Sequence, residues 1–154
     1  MFINNSLVLS GYQKKKKNYF ISGIGGKKQN GDVNYIHTAI REMIEELFEI
    51  YIIPNKLLEE LYEIKPLKIN YSNKYVNIVY SFDHLDDILE ILYSYNIKSP
   101  LYISFPSCLN ELIFNRKINN NEVTHLCLLP FVKTEIKIDK NFINDIFNIK
   151  DIIT

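Results

Sequence analysis

The sequence predicts an α/β domain in which helices pack on a mixed β-sheet. Short apolar runs bounded by glycine and asparagine read as strands. Longer segments carry apolar residues three and four apart and read as helices. The two kinds alternate irregularly along the chain, which favours one mixed sheet over separate all-α and all-β parts. A chain of 154 residues fits one domain spanning residues 1–154, and no repeat or linker divides it.

The elements follow in order. Residues 6–10 (SLVLS) and 19–22 (YFIS) read as strands, joined by a polar loop over residues 11–18 that holds Lys14, Lys15, Lys16 and Lys17. Gly23, Gly25 and Gly26 then open a glycine-dense loop, a composition that turns tightly or brings backbone close to a ligand. From Tyr35 the period changes. Ile36, Ile40, Met43, Leu47 and Ile50 mark one face of a helix, and Pro54 sets its latest end. Residues 55–64 form a second, shorter helix and residues 74–81 a strand. Residues 83–93 form a helix with Leu85, Ile88, Leu89 and Leu92 inside, and Asp83 capping it or favouring its dipole. A strand over 101–105, a helix over 108–114, a loop at Asn119–Asn121, a strand over 123–129 and a last helix over 141–149 complete the chain.

Composition excludes some functions. Eighteen basic residues balance eighteen acidic ones, so no charge surplus drives wholesale binding to nucleic acid or to an acidic membrane. No apolar run approaches the roughly 20 residues that span a bilayer. The first residues lack the charged and apolar regions of a signal peptide. The expectation is a cytoplasmic protein without a membrane partner. Cys108 and Cys127 are too far apart for a C-x-x-C pair and are expected as reduced, apolar side chains.

Residues 25–50 carry the chemistry. Glu42, Glu45, Glu46 and Glu49 share one stripe of the helix, opposite Ile36, Ile40, Met43 and Leu47. Like charges at this spacing oppose a helix by roughly 0.2–0.5 kcal/mol per pair, unless a cation sits on them. Magnesium commonly binds a few carboxylates together with substrate phosphates. The chain supplies a control in Glu59, Glu60 and Glu63, a similar stripe without an arginine beside it or a glycine loop before it. That second stripe reads as solvated surface, and the first taken alone would too.

The combination resembles the Nudix box: a glycine, five residues, a glutamate, seven residues, then Arg-Glu-apolar-x-Glu-Glu-x-Gly. Gly26 stands at the opening glycine with Gly25 before it, and Gly31 precedes the first acid. Arg41-Glu42-Met43-Ile44-Glu45-Glu46 matches the central element. Three departures stand beside the match. Asp32 replaces the first glutamate, one extra residue separates it from Arg41, and Phe48 replaces the closing glycine. The first two leave the role of Asp32 open. The third implies a helix that continues towards Pro54.

The resemblance implies a Nudix-like α/β/α sandwich with a mixed β-sheet. It also implies a hydrolase acting on phosphoric anhydride bonds with Mg2+, or Mn2+ in its place, on a nucleoside diphosphate linked to another group. By the same resemblance Glu42 and Glu46 are the main metal ligands. Glu45 completes the metal shell or deprotonates the attacking water, and the Gly26 carbonyl joins the coordination. Arg41 orients the carboxylates, its bland alternative being an ordinary helix ion pair with Glu45. The catalytic set is then Arg41, Glu45 and Glu46. Lys27 and Lys28 either contact phosphate oxygens or stay solvated, and Lys14–Lys17 read as a solvated hairpin tip. His37, His84 and His125 lack metal-ligand spacing and read as surface or partly buried side chains. Glu111 and Glu122 are available as a base from a later loop. Within this class capped RNA and diphosphoinositol polyphosphates are further substrates. Two other readings remain. One is a non-catalytic nucleotide-binding or scaffold module on the same fold. The other is a coincidental acidic helix, with Glu42 and Glu46 in open solvent away from Gly25 and Gly26.

Overall fold

A computed structural model of the chain describes residues 1–15, 17–26, 28–71, 75–118, 123–131 and 136–153. Its elements are β1 (Phe2–Ile3), β2 (Leu7–Lys15), β3 (Asn18–Ser22), α1 (Tyr35–Phe48), α2 (Asn55–Tyr62), β4 (Lys68–Tyr71), β5 (Val76–Ser81), α3 (Phe82–Ser94), α4 (Leu109–Phe114), β6 (Val123–Pro130), α5 (Lys140–Phe147) and α6 (Lys150–Ile153).

The sheet is mixed. β1 runs parallel to β5, with Phe2 opposite Tyr80, and the other strand pairs are antiparallel. β2 organises it. Along one edge β2 pairs with β6 from Leu7/Pro130 to Gln13/Val123. Its other edge is shared end to end, by β1 at Val8 and by β3 from Gly11 to Lys15. Because β1 is so short, β3 and the first half of β5 are left unpaired with each other. The sheet splits there, and the glycine loop leaves β3 at the mouth of the split.

Side chains alternate across each strand. Phe2, Leu9, Ile78, Tyr80 and Leu126 point to one face, where Ile40, Ile44, Leu47, Leu57, Leu89 and Leu112 of α1 to α4 cover them. Ile3, Val8, Val79 and Leu129 point to the other, against Phe142 of α5 and Ile149 just after it. Helices therefore lie on both faces of a mixed sheet. No helix among the described residues is long and apolar enough to cross a membrane.

Four expectations need correction. β2 runs on through Gly11 to Lys15, where the sequence suggests a loop, because both of its edges are paired and Ser10 and Gln13 are buried. Residues 101–105 form no strand. Leu101 and Tyr102 are nonetheless buried, Tyr102 through an O–H donated to the Leu112 carbonyl at 2.5 Å. α3 is capped by Ser81 rather than Asp83. The Ser81 hydroxyl accepts from His84 N, while His84 Nδ1 accepts from Ser81 N. Asp83 sits in the first turn, where it favours the helix dipole. Finally, α1 ends at Phe48.

Candidate functional site

α1 begins where its polar neighbours can cap it. The Asn34 side chain accepts from His37 N at 2.9 Å. The extra residue before Arg41 is absorbed upstream, in a turn where Asp32 N donates to Gln29 O (3.1 Å) and Gly31 takes φ +101°. That conformation suits a residue without a Cβ. The turn folds the Asp32 side chain back onto the helix, where Oδ2 accepts from Gln29 N (2.8 Å) and Thr38 Oγ1 (2.9 Å).

Arg41 then takes both carboxylate oxygens of Asp32, Nε to Oδ1 at 2.9 Å and Nη2 to Oδ2 at 3.0 Å. Such a two-pronged pair is the strong form of the interaction. The Asp32 side chain is only 3% exposed. Hydrogen bonding to Arg41 holds its carboxyl far below the usual carboxylate range, and Asp32 in turn keeps Arg41 charged. Nη1 of the same guanidinium reaches Glu42 Oε1 (2.9 Å) and Glu45 Oε2 (3.0 Å). Asp32 thus anchors an arginine that orients two members of the acidic stripe. Burial pushes the Glu42 carboxyl above its ordinary value, against the pull of Arg41.

The glycine loop meets the same stripe. Gly25 N donates to Glu46 Oε2 at 2.9 Å. A Cβ built on Gly26 would overlap the Glu42 carboxylate, so this position accepts only a residue without a side chain while Glu42 stays in place. Glu42, Glu45 and Glu46 are half-buried, whereas Glu59 and Glu60 on α2 and Glu63 at its C-cap are exposed. The two stripes, alike in sequence, are different environments.

The end of α1 is held by residues distant in the chain. Glu49 takes the left-handed conformation (φ 53°) that a glycine would favour, and its N–H reaches Glu45 O at 2.8 Å. Arg116 donates to Leu47 O (2.6 Å) and Glu46 O (2.9 Å), and Ser99 Oγ donates to Phe48 O (2.5 Å). Phe48 itself is fully buried and stacks on Phe105 at 5.0 Å. Its size is what the core requires there, and the freed carbonyls find other donors. Sequence reasoning missed Arg116 and Ser99. The one available signal was that Arg116 is one of only two arginines in the chain.

The other named residues fall elsewhere. Lys27, Lys16 and Glu122 lie outside the described residues. Lys28 is exposed, with Nζ 5.8 Å from the centre of the Tyr35 ring. Lys14 lies over Tyr19 on the β2–β3 hairpin and Lys17 is exposed at its tip. Glu111 accepts from Ser107 N and Oγ. His37 Nδ1 accepts from Val33 N, with Nε2 3.8 Å from Asp32. His125 stacks on Tyr12 at 4.6 Å. Cys108 and Cys127 are free and half-buried, and Cys127 Sγ lies 3.7 Å from Ser10 O.

Against the inner side of the glycine loop lies a cavity of about 730 Å3, set into the split of the sheet. Gly25 and Gly26 line it, together with Tyr35, Ile40 and Met43 of α1, Tyr75 to Ile78, and Asp139, Phe142 and Asp145. The loop therefore has the acidic stripe on one side and a half-open cavity on the other.

Among the described residues no three His, Cys, Asp or Glu side chains are drawn together closely enough to hold a metal. Arg41 occupies carboxylate oxygens of both Glu42 and Glu45. A preformed three-carboxylate cage is thus not the arrangement. Glu42 and Glu46 do meet at the Gly25–Gly26 bend. That donor set, two carboxylates beside exposed backbone, fits magnesium, which keeps several waters and takes substrate phosphates as further ligands.

Comparison of the chain with protein families, characterised proteins and solved structures finds no match.

Proposed function

We propose that the protein is a Nudix-type pyrophosphohydrolase that cleaves a nucleoside diphosphate linked to another group, using Mg2+ or Mn2+. The observation that carries this reading is the convergence of Glu42 and Glu46 on one glycine bend. A coincidental acidic helix has no reason to place two half-buried carboxylates against two consecutive glycines that also line a cavity.

Glu42 and Glu46 would hold the metal, with the Gly26 carbonyl beside them. Bound there, such an ion would supply charge neutralisation on the diphosphate and a lowered pKa for an attacking water near neutral pH. Arg41 holds Glu42 and Glu45 by one oxygen each, and the Glu42 carboxylate lies against Gly26. The second oxygen of Glu45 is the available acceptor for a proton from the attacking water. The phosphates would lie over Gly25 and Gly26, where the missing side chains allow close approach. Lys28, exposed beside Tyr35, would meet their outer oxygens.

Magnesium-dependent release of phosphate or nucleotide across a panel of diphosphate substrates tests the reading. Glu46→Gln is expected to reduce turnover by at least about 100-fold, the scale of losing a group that stabilises the transition state. Equal turnover in the variant would remove the assignment. A second reading, a binding module without turnover, draws support from the hold of Arg41 on Glu42 and Glu45. Saturable nucleotide binding with no release of product under the same conditions would favour it.

A further inference from the structure

The last turn of an α-helix leaves backbone carbonyls without partners inside the helix. At the end of α1, Glu49 N donates to the Glu45 carbonyl, so those of Glu46, Leu47 and Phe48 remain. All three are taken by side chains from elsewhere in the chain. Arg116 donates Nη2 to Glu46 O (2.9 Å) and Nη1 to Leu47 O (2.6 Å), and Ser99 Oγ donates to Phe48 O (2.5 Å). Arg116 is 7% exposed and its Nε meets no acceptor. Among the described residues no carboxylate pairs with it. A buried cation without an anion is costly. The negative end of a helix is the partner that offsets this cost. Nη2 also lies 3.3 Å from Val123 O at the start of β6, so one side chain ties the end of α1 to the sheet.

Glu46 is the member of the acidic stripe that this hold reaches directly. Arg116 grips its carbonyl, and Gly25 N donates to its carboxylate at 2.9 Å. The residue is pinned at both ends, between the helix terminus and the glycine bend. We propose that Arg116 is a positioning residue for the site, its guanidinium setting the last turn of α1 so that the Glu46 carboxylate stays on the Gly25 N–H. A guanidinium is planar and presents its donors in a fixed fork. Bonded to two successive carbonyls, it fixes the orientation of the turn, which the point charge of a lysine does not. Ser99 holds only the carbonyl of Phe48, two residues past Glu46, and stabilises the helix end without directing Glu46. That the positioned carboxylate holds a metal rests on the pyrophosphohydrolase reading. That Arg116 positions it does not.

The Gly25 amide proton reports the contact without any metal. Its NMR resonance in the full chain is compared with that in Glu46→Ala, where the acceptor is gone. Arg116→Lys keeps a cation at the helix end, and Arg116→Gln keeps a neutral donor. Both are expected to move the Gly25 resonance at least halfway to its position in Glu46→Ala. Ser99→Ala is expected to lower Tm as they do, yet to leave the resonance where it is in the parent. A second arm measures Mn2+ affinity with a non-hydrolysable diphosphate present. Arg116→Lys is expected to weaken it roughly 10–100-fold, the scale of losing a group that orients a metal ligand. Ser99→Ala is expected to leave it unchanged. A parent chain that binds no Mn2+ would remove the metal reading, while the amide resonance still decides on Arg116. Mn2+ binding in the parent, with the Gly25 resonance unmoved in both Arg116 variants, would do the reverse. A resonance moved as far by Ser99→Ala as by Arg116→Lys, or loss of folding in both Arg116 variants, would make Arg116 a stability residue only and overturn the proposal.

Discussion

Arg41→Met is expected to lower folding stability by about 3–5 kcal/mol, the cost of removing one partner of a buried ion pair and stranding the other. Arg41 is 9% exposed, and it neutralises Asp32, Glu42 and Glu45 together. Without it three carboxylates stay close with no cation among them. Urea denaturation at neutral pH measures the loss. A change below about 1 kcal/mol would mean the cluster is solvated and the interaction weak. The same pair gives a pH signature. The folded-state pKa of Asp32 is depressed below its ordinary value. Its stabilisation is therefore complete above the unfolded value of about 3.9 and declines as pH falls below it. Asp32→Asn removes that part of the acid dependence, along with the charge that anchors Arg41.

Gly26→Ala is expected to separate activity from stability. The added methyl overlaps only the end of the Glu42 side chain, which can rotate away, and Gly26 does not require a positive φ. Folding stability should fall by no more than about 1 kcal/mol, since only the Arg41–Glu42 pair is disturbed and Arg41 keeps Asp32 and Glu45. Hydrolysis should fall by about 100-fold or more, since Glu42 is displaced from the bend and misplacement of about 1 Å can cost that much. Gly25→Ala is the matched control for packing, because a Cβ there meets nothing within 4 Å. A Gly26→Ala variant as active as the parent chain would mean that the position of Glu42 is irrelevant to the proposed turnover.

These two variants mark where the sequence was legible and where it was not. The body of α1 could be read because a 3.6-residue period is a local signal, and Ile40, Met43 and Leu47 pack as that period requires. The difference between the two acidic stripes was also visible, in the arginine and glycines that accompany only the first. The end of α1 was not. Phe48 in place of glycine suggests a longer helix, yet Arg116 and Ser99 reach its last carbonyls from 50 to 70 residues away in the chain. The second half of β2 was hidden by glycine and lysine, since strand character there comes from pairing on both edges rather than from its own side chains. β1, two residues long, has no period to detect, although its parallel pairing with β5 creates the split. The place of Asp32 needed the fold as well. The altered spacing left its role open, and only the turn at Gly31 brings it back to Arg41.

Titration of the protein with Mn2+, followed by loss of the free-ion electron paramagnetic resonance signal with a non-hydrolysable diphosphate present, tests the central assignment most directly. One saturable site is expected in the parent chain, absent when Glu42 and Glu46 are both replaced by glutamine and retained when Glu59 and Glu60 are. Binding that is unchanged in the first double variant, or no site in the parent, would contradict it.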